Sequence, residues 1–355
     1  MDRTTVRVYD EHGALWAANR TPVRRRAARR FAQRLGRDAI RIDLGAGAGR
    51  YTSELGRPVI ALDASMTMLR LLREAAPDAL PLLADLERLP FRDRGLRGAW
   101  ANMSYLHIPR PRLPLALAQL HWAMAVDAPY DLQVLRGDRD LGPLADDDVP
   151  GRRFAAWSET ALKDTLVGAG FSVDDLETER DVVRASGARL LSLPDIVGPG
   201  MRLLVCGLNP SIYSAERGVA FARRANRFWS CAVEAGLATV AFDPRRALAD
   251  GAMGLTDLVK RPTVRSSELR VDEYRAGLTR VKRVVERFEP AVVCFVGLEG
   301  WRAAVDRRAT AGVQPDPIAG ATVYVMPSTS GLNASSSRAD LVKHMRRVRR
   351  LAGIS

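Results

Sequence analysis

Short apolar runs that end abruptly at glycine or proline, with helix-spaced segments between them, constrain this chain more than any other feature of its sequence. Ala39–Leu44 runs into glycines at 45, 47 and 49, and Pro58–Asp63, Leu80–Ala84 and Gly98–Met103 follow. Met201–Leu208 stops at Asn209-Pro210, Ala291–Leu298 is a second such run, and Thr322–Met326 stops at Pro327. Runs this short fit buried strands better than helices. Helical spacing over Thr21–Leu35, Met66–Ala75 and Glu273–Phe288 separates them. Strand alternating with helix predicts an α/β class, with parallel sheets covered on both faces. With 355 residues there is room for two such domains. The turn-rich stretch Ser192–Gly200 divides the two series, so one three-layer α/β/α domain is expected over 1–188 and a second over 189–355.

Composition excludes several classes. Apolar residues at 47% and charged residues at 27% are those of a folded chain and argue against disorder. Apolar runs such as Ala291–Leu298 are far below the ~18 residues of a membrane span. Met1-Asp2-Arg3 carries no apolar signal core, so the expectation is a cytoplasmic protein, monomeric and without membrane partners. Cys206, Cys231 and Cys294 are too widely spaced for a disulfide framework or a zinc site, and no metal is expected. The charge is informative: the net +13 is unevenly placed, with 28 basic and 26 acidic residues up to Ser186, and 26 basic and 15 acidic after it. An excess of +11 in the second half favours a polyanionic partner, nucleic acid above all.

In the first half, the chemistry sits where strands end. Asp43-Leu-Gly45-Ala-Gly47-Ala-Gly49 leaves a strand and is expected to enter a helix; glycine there lets a ligand approach the backbone closely. A dinucleotide fingerprint wants glycine at position 50, where this chain has Arg50. The pattern instead resembles motif I of class I S-adenosylmethionine-dependent methyltransferases. Asp63 at the end of the second strand, Asp85 after the third, the stretch Asp85–Phe91 and the late segment Trp157–Phe171 extend the likeness over roughly residues 10–180. The resemblance implies a Rossmann-like methyltransferase fold, with S-adenosylmethionine held by Asp43, Gly45, Gly47 and Gly49, its ribose hydroxyls by Asp63 and its adenine amino group by Asp85. Asn102-Met103-Ser104-Tyr105 lacks the prolines of amino-methylating members, so methylation of base amino groups is not supported. His107 is either a base near the methyl acceptor or a packed histidine.

In the second half, Asp195–Ser211, Phe221–Trp229, Gly254–Thr263 and Met326–Asn333 occur in the order of the mismatch-specific uracil/thymine-DNA glycosylases of the uracil-DNA glycosylase superfamily, which this half resembles. Relatives bearing an iron–sulfur cluster need four cysteine ligands, so no cluster is expected. The resemblance implies a uracil-DNA glycosylase-like fold in which Asn209 is the catalytic asparagine, holding a water against C1′. Gly207, Leu208, Pro210, Phe221 and Ser328 would form the pocket for the flipped base, Phe221 by stacking. Gly331, Leu332 and Asn333 match the wedge loop, Leu332 filling the gap left in the duplex. Asn226, Arg227 and Trp229 are expected to brace the pocket. Ser211 stands where the family has glycine and is expected to tighten the pocket against thymine's methyl group.

On these readings the chain is expected to be a monofunctional DNA-repair glycosylase, acting on uracil, or on thymine or another damaged pyrimidine, opposite guanine in duplex DNA. It is fused to a domain expected to bind S-adenosylmethionine, and the glycosylase half needs no cofactor. The competing reading is a nucleic-acid methyltransferase whose second half only binds a base.

Overall fold

The structure, a computed structural model, describes residues 1–144 and 147–354. The chain divides into two compact units, Met1–Val167 with Phe171–Leu190, and Gly168–Gly170 with Leu191–Ser355. The first contains, in chain order, α1 (Arg3–Ala18), α2 (Arg25–Gln33), β1 (Arg41–Leu44), β2 (Val59–Asp63), α3 (Met66–Ala75), β3 (Leu80–Leu83), β4 (Gly98–Asn102), α4 (Leu113–Ala123), β5 (Pro129–Arg136), β6 (Asp140–Leu141), β7 (Phe154–Trp157), α5 (Glu159–Gly168), β8 (Asp175–Glu179) and β9 (Val182–Ala188). The second contains β10 (Leu203–Gly207), α6 (Ile212–Arg217), α7 (Phe228–Glu234), α8 (Pro244–Gly251), β11 (Met253–Asp257), α9 (Val271–Phe288), β12 (Val292–Val296), α10 (Leu298–Ala304), β13 (Gly312–Val313), β14 (Thr322–Met326) and α11 (Arg338–Leu351). Both units are α/β.

The sheet of the first unit runs β3-β2-β1-β4-β5-β7-β6, and β9 pairs antiparallel with both β5 and β8. The strands β3, β2, β1, β4 and β5 are parallel, as the strand–helix alternation predicts. The β8–β9 hairpin was not anticipated. It turns at Arg180, whose φ of 49° is left-handed, and β9 alternates buried with half-buried residues as a strand with one covered face does. All four residues of β1 are buried, so Asp43 and the following turn are carried to the C-terminal edge of the sheet. The expected helix after that turn is absent. Gly45, Gly47 and Gly49 take φ of +65°, +54° and +78°, values an α-helix does not admit, and the chain reaches only a short 3₁₀ turn at Thr52–Leu55. At α3, the Ser65 side chain caps the helix by accepting from the Met68 N–H (3.2 Å), and Met68, Leu69 and Leu72 face inward.

The sheet of the second unit runs β11-β10-β12-β14-β13, parallel except for β13. Strands β10, β11 and β12 are fully buried. On one side they pack with Phe228, Trp229, Leu341, Met345 and Val348 from α7 and α11. Because β11, β10, β12 and β14 are parallel, their C-terminal ends share one edge. Pro210 and Pro327 end two of them and Gly297, at φ +96°, a third. Asn209, Asp257, Gly297 and Ser328 are thus delivered to one edge of the sheet, the place where open α/β sheets bind ligands.

Candidate functional sites

A cavity of about 700 Å³ opens at the C-terminal edge of β1, β2 and β4 in the first unit. Asp43, Gly45, Gly47 and Asp63 line it, as the sequence predicted. Gly45 faces Ser104 so closely that a Cβ would lie 2.4 Å from the serine Cβ, so position 45 tolerates only glycine. The Gly47 N–H donates to Asp63 Oδ2 (2.8 Å) and the Ser65 N–H to Asp63 Oδ1 (2.9 Å), which fixes that carboxylate at the end of β2. Burial pushes Asp43 up to about 7, against the Thr52 hydroxyl that donates to it at 2.7 Å.

Two predicted residues lie elsewhere. Gly49 packs on α3, where a Cβ would stand 3.1 Å from Leu72 Cγ, so this glycine serves helix packing. Asp85 does not line the cavity. Its Oδ1 accepts from the Glu87 N–H (2.9 Å) in a local turn, which draws the carboxylate to the outer face beside Met1.

Sequence reasoning missed α1, which roofs this cavity. Asp10 ties the helix to the start of α3 by accepting from Ser65 Oγ (2.7 Å) and the Thr67 N–H (3.2 Å). Thr5 Oγ1 accepts from the Arg153 N–H (3.0 Å) on the other side. Under this roof the Trp16 ring lies over the glycine turn, with the Arg50 guanidinium 4.4 Å from its centroid. Two buried polar atoms in the wall, Arg50 Nη2 and Ser104 Oγ, have no partner among the described residues. Further along, Tyr9 Oη lies 2.9 Å from His107 Nε2 and 2.9 Å from Arg152 Nη1. His107 Nδ1 sits 2.8 Å from the Arg153 carbonyl, so Nδ1 carries the proton and Nε2 accepts from Tyr9. Burial lowers His107 to about 4, so it is neutral, and raises Tyr9 to about 12.

In the second unit, Asn209 leaves the end of β10 with its amide orientation fixed. Nδ2 is surrounded by acceptors: Thr263 Oγ1 (2.8 Å), the Arg261 carbonyl (3.0 Å) and the Pro210 carbonyl (3.2 Å). The amide nitrogen therefore faces the 261–263 segment, and Oδ1 is left to accept from a ligand or water. The segment is itself anchored from below. Asp195, fully buried, takes Arg280 Nη1 (2.6 Å), Lys260 Nζ (2.9 Å) and Thr256 Oγ1 (2.6 Å). Burial pushes this carboxyl up, but Arg280 and Lys260 more than offset it and hold it below the ordinary range.

Asp257, at the end of β11 beside Gly207, is a candidate functional residue that sequence reasoning did not single out. A Cβ on Gly207 would lie 2.6 Å from Asp257 Oδ1 and 3.4 Å from Phe221 Cζ, so the carboxylate and the ring meet over a bare backbone. Burial raises Asp257 to about 6. The residue lies inside the motif Gly254–Thr263, but only the pairing of β11 with β10, which the sequence does not give, sets it opposite Gly207.

Phe221 holds φ of +56°, costly for an aromatic residue, and stacks on Phe228 at 4.1 Å with 19° between the planes. Trp229 Nε1 donates to the Ala220 carbonyl (2.8 Å) and steadies that bend. Leu208 packs its side chain toward Gly300 and offers the site only its backbone. Pro210 ends β10's extension, its carbonyl accepting from the Thr263 N–H (3.2 Å). The Ser211 hydroxyl caps α6 by accepting from the Ser214 N–H (3.2 Å), so its polar group is committed to the helix. Ser328 stands at the end of β14, its Oγ accepting from the Ser330 N–H (3.3 Å).

The loop beyond it presents Leu332 at 96% exposure. Arg227 pins the loop by donating to the carbonyls of Ser336 (2.7 Å), Asn333 (2.8 Å) and Ser330 (3.2 Å). Gly331 passes so close to Ala225 that a Cβ would lie 2.7 Å from its carbonyl. The Asn333 side chain closes the loop internally, donating to the Ser328 carbonyl (2.7 Å) and accepting from Ser335 Oγ (2.7 Å). Leu332 is thus the large apolar residue this loop presents to solvent, with Gly331 and Asn333 shaping its base.

Residues 194–350 match the Uracil DNA glycosylase superfamily, and residues 42–126 match a family described as Methyltransferase domain. Among solved structures, the chain is similar to 1,6-didemethyltoxoflavin-N1-methyltransferase of Burkholderia thailandensis, determined with 1,6-didemethyltoxoflavin and S-adenosylhomocysteine. The identity is 21% over 52% of this chain and 85% of that one, with a TM-score of 0.42. It is also similar to the CcbJ methyltransferase of Streptomyces caelestis (16% identity, 54% of this chain, 100% of that one, TM-score 0.44). A third is an S-adenosylmethionine-dependent methyltransferase of Mesorhizobium loti (18%, 46% and 96%, TM-score 0.38). The chain therefore carries a methyltransferase domain in its N-terminal half and a domain of the uracil-DNA glycosylase superfamily in its C-terminal half.

Proposed function

We propose that the C-terminal unit is a DNA-repair glycosylase that releases uracil mispaired with guanine in duplex DNA, leaving an abasic site. The observation that carries this reading is the fixed amide of Asn209, whose Oδ1 is free to accept, with the Asp257 carboxylate on the neighbouring strand end. Hydrolysis needs a water held against C1′ and a group to take its proton. Asn209 Oδ1 supplies the first and Asp257, ionised above about pH 6, the second. As the C1′–O bond forms, the C1′–N1 bond breaks, its electron pair leaves with the base and the water proton passes to Asp257. Phe221, backed by Phe228, is the platform for the flipped base, and Leu332 is the plug for the duplex. Lys260, the lysine within the motif, is bound to Asp195 and not available for a Schiff base, which favours a monofunctional enzyme.

For the N-terminal unit, we infer that the cavity holds S-adenosylmethionine. The residues fit it: Asp63 for the ribose diol, the turn Gly45–Gly47 for close backbone approach, and the unpartnered Arg50 Nη2 for a carboxylate. When bound, this group supplies an electrophilic methyl.

The test is base release from a labelled duplex with one U:G pair, beside T:G, U:A and single-stranded uracil, at low salt. Release from U:G that disappears in Asn209→Ala is the expected result. No release from any substrate overturns the glycosylase reading.

A further inference from the structure

The cavity of the first unit extends past the cofactor turn into a compartment that the glycine turn and Asp63 do not explain. Its walls are the rings of Tyr9, His107 and Phe154, with centroids 5.4 Å apart for Tyr9–His107 and 5.2 Å for His107–Phe154. The three rings pack on one another as one continuous aromatic wall of the cavity, a surface against which a flat ring can lie. The hydrogen bonds of this end run in one direction. Arg152 donates to Tyr9, Tyr9 donates to His107, and His107 donates to the Arg153 carbonyl. Arg152 cannot reverse, because it has no acceptor and its Nε is spent on Asp147 (2.9 Å). Tyr9 Oη therefore has no proton to offer a ligand and one lone pair left, so it selects a ligand that donates. Ser104 Oγ, buried and unpartnered between this end and the cofactor turn, is the second polar contact. Size is set by the roof. Helix α1 is tied down on both sides, by Asp10 and by Thr5, and about 700 Å³ is the volume of one ordinary ligand site, so beyond a cofactor there is room for a small molecule only.

We infer that this compartment is a binding site for a small planar aromatic or heteroaromatic molecule bearing an O–H or N–H donor, which Tyr9 receives and Ser104 assists. Such a group is also the nucleophile a methyltransferase needs, and in that respect the inference rests on the cofactor reading.

The test is calorimetric titration of the intact protein, first with S-adenosylhomocysteine, then of the loaded protein with catechol, uracil and 1,2-dimethoxybenzene. The last has catechol's shape without its donors. Catechol or uracil is expected to bind at least ~10-fold more tightly than 1,2-dimethoxybenzene, the value of about one well-placed hydrogen bond. Tyr9→Phe, its folding checked by thermal melting, should abolish that difference and leave S-adenosylhomocysteine affinity unchanged. The comparison of the probes in the wild type needs no variant. Equal binding of catechol and its dimethoxy analogue, or binding of no probe to the loaded protein, overturns the inference. So does transfer of labelled methyl to an oligonucleotide or a protein but to none of the probes. Failure to bind S-adenosylhomocysteine at all would instead remove the cofactor reading.

Discussion

In the proposed glycosylase centre two residues divide the labour, and their chemistry separates them in experiment. Asn209 orients and cannot take a proton, so Asn209→Ala should lower the single-turnover rate of uracil release by roughly 10²–10³ at every pH, as removal of an oriented polar group does. Asp257 acts only as the carboxylate. Its burial places the transition at about 6, so release should rise with pH up to that region and then level off. Asp257→Asn should remove the acid limb and cost roughly 10²–10⁴ on the plateau, measured by gel assay from pH 5 to 8. A profile unchanged by that substitution would take Asp257 out of the mechanism. Asn209 was legible in the sequence because a proline fixes where its strand stops. Asp257 was not, because an aspartate in a loop-bound motif looks the same whether it faces solvent or a bare glycine. Only the β10–β11 register puts it against Gly207. Asp85 shows the converse: its place in the order is readable from sequence, but its side chain is held by the Met1 ammonium and the Glu87 N–H and is not in the cavity wall.

Elements were legible where burial wrote a period into the sequence. The fully buried β10 and β12, and β14, buried but for Thr322, are found almost to the residue, and α3 to both ends. Helix α1 was missed because its inner face meets a cavity. It buries only Thr5, Val8 and Gly13, and the side chains it turns to the cavity, Tyr9 and Trp16, make no apolar stripe at helical spacing. The segment that carries Asn209's acceptors depends on the buried Asp195. Asp195→Asn leaves Lys260 and Arg280 facing a neutral partner, so a loss of about 3–5 kcal/mol in urea unfolding is expected. The loop after β14 makes a different demand. Arg227 and Asn333 hold it, while Leu332 does no packing within the unit. Leu332→Ala should therefore leave stability unchanged and shorten residence on abasic product more than on undamaged duplex, read by competition gel shift. Equal losses on both would argue against a wedge.

At the scale of the molecule, charge separates the two chemistries. The excess of +11 lies after Ser186, and α11 concentrates part of it: Lys343, Arg346, Arg347 and Arg350 are all exposed, at helical spacings that put them on one side. The opposite side, Leu341, Val342, Met345 and Val348, is buried in the core, so the helix cannot turn its charges inward. Under the proposed function, these cations, fixed to a rigid helix that starts where the Leu332 loop ends, would meet phosphates flanking the extruded base. Each phosphate neutralised releases counterions, and the logarithm of affinity falls with the logarithm of salt by about 0.9 per phosphate. Reversing Arg346 and Arg350 to glutamate should flatten that slope by about 1 for each phosphate the helix no longer neutralises. It should also weaken matched and mismatched duplexes alike, since phosphates carry no sequence. S-adenosylhomocysteine binding, for which Asp63 and Arg50 are the proposed contacts in a unit with almost balanced charge, should show little salt dependence and no response to these variants. A salt slope unaltered by the double reversal would move the DNA footprint off α11 and onto the remaining arginines of the same half.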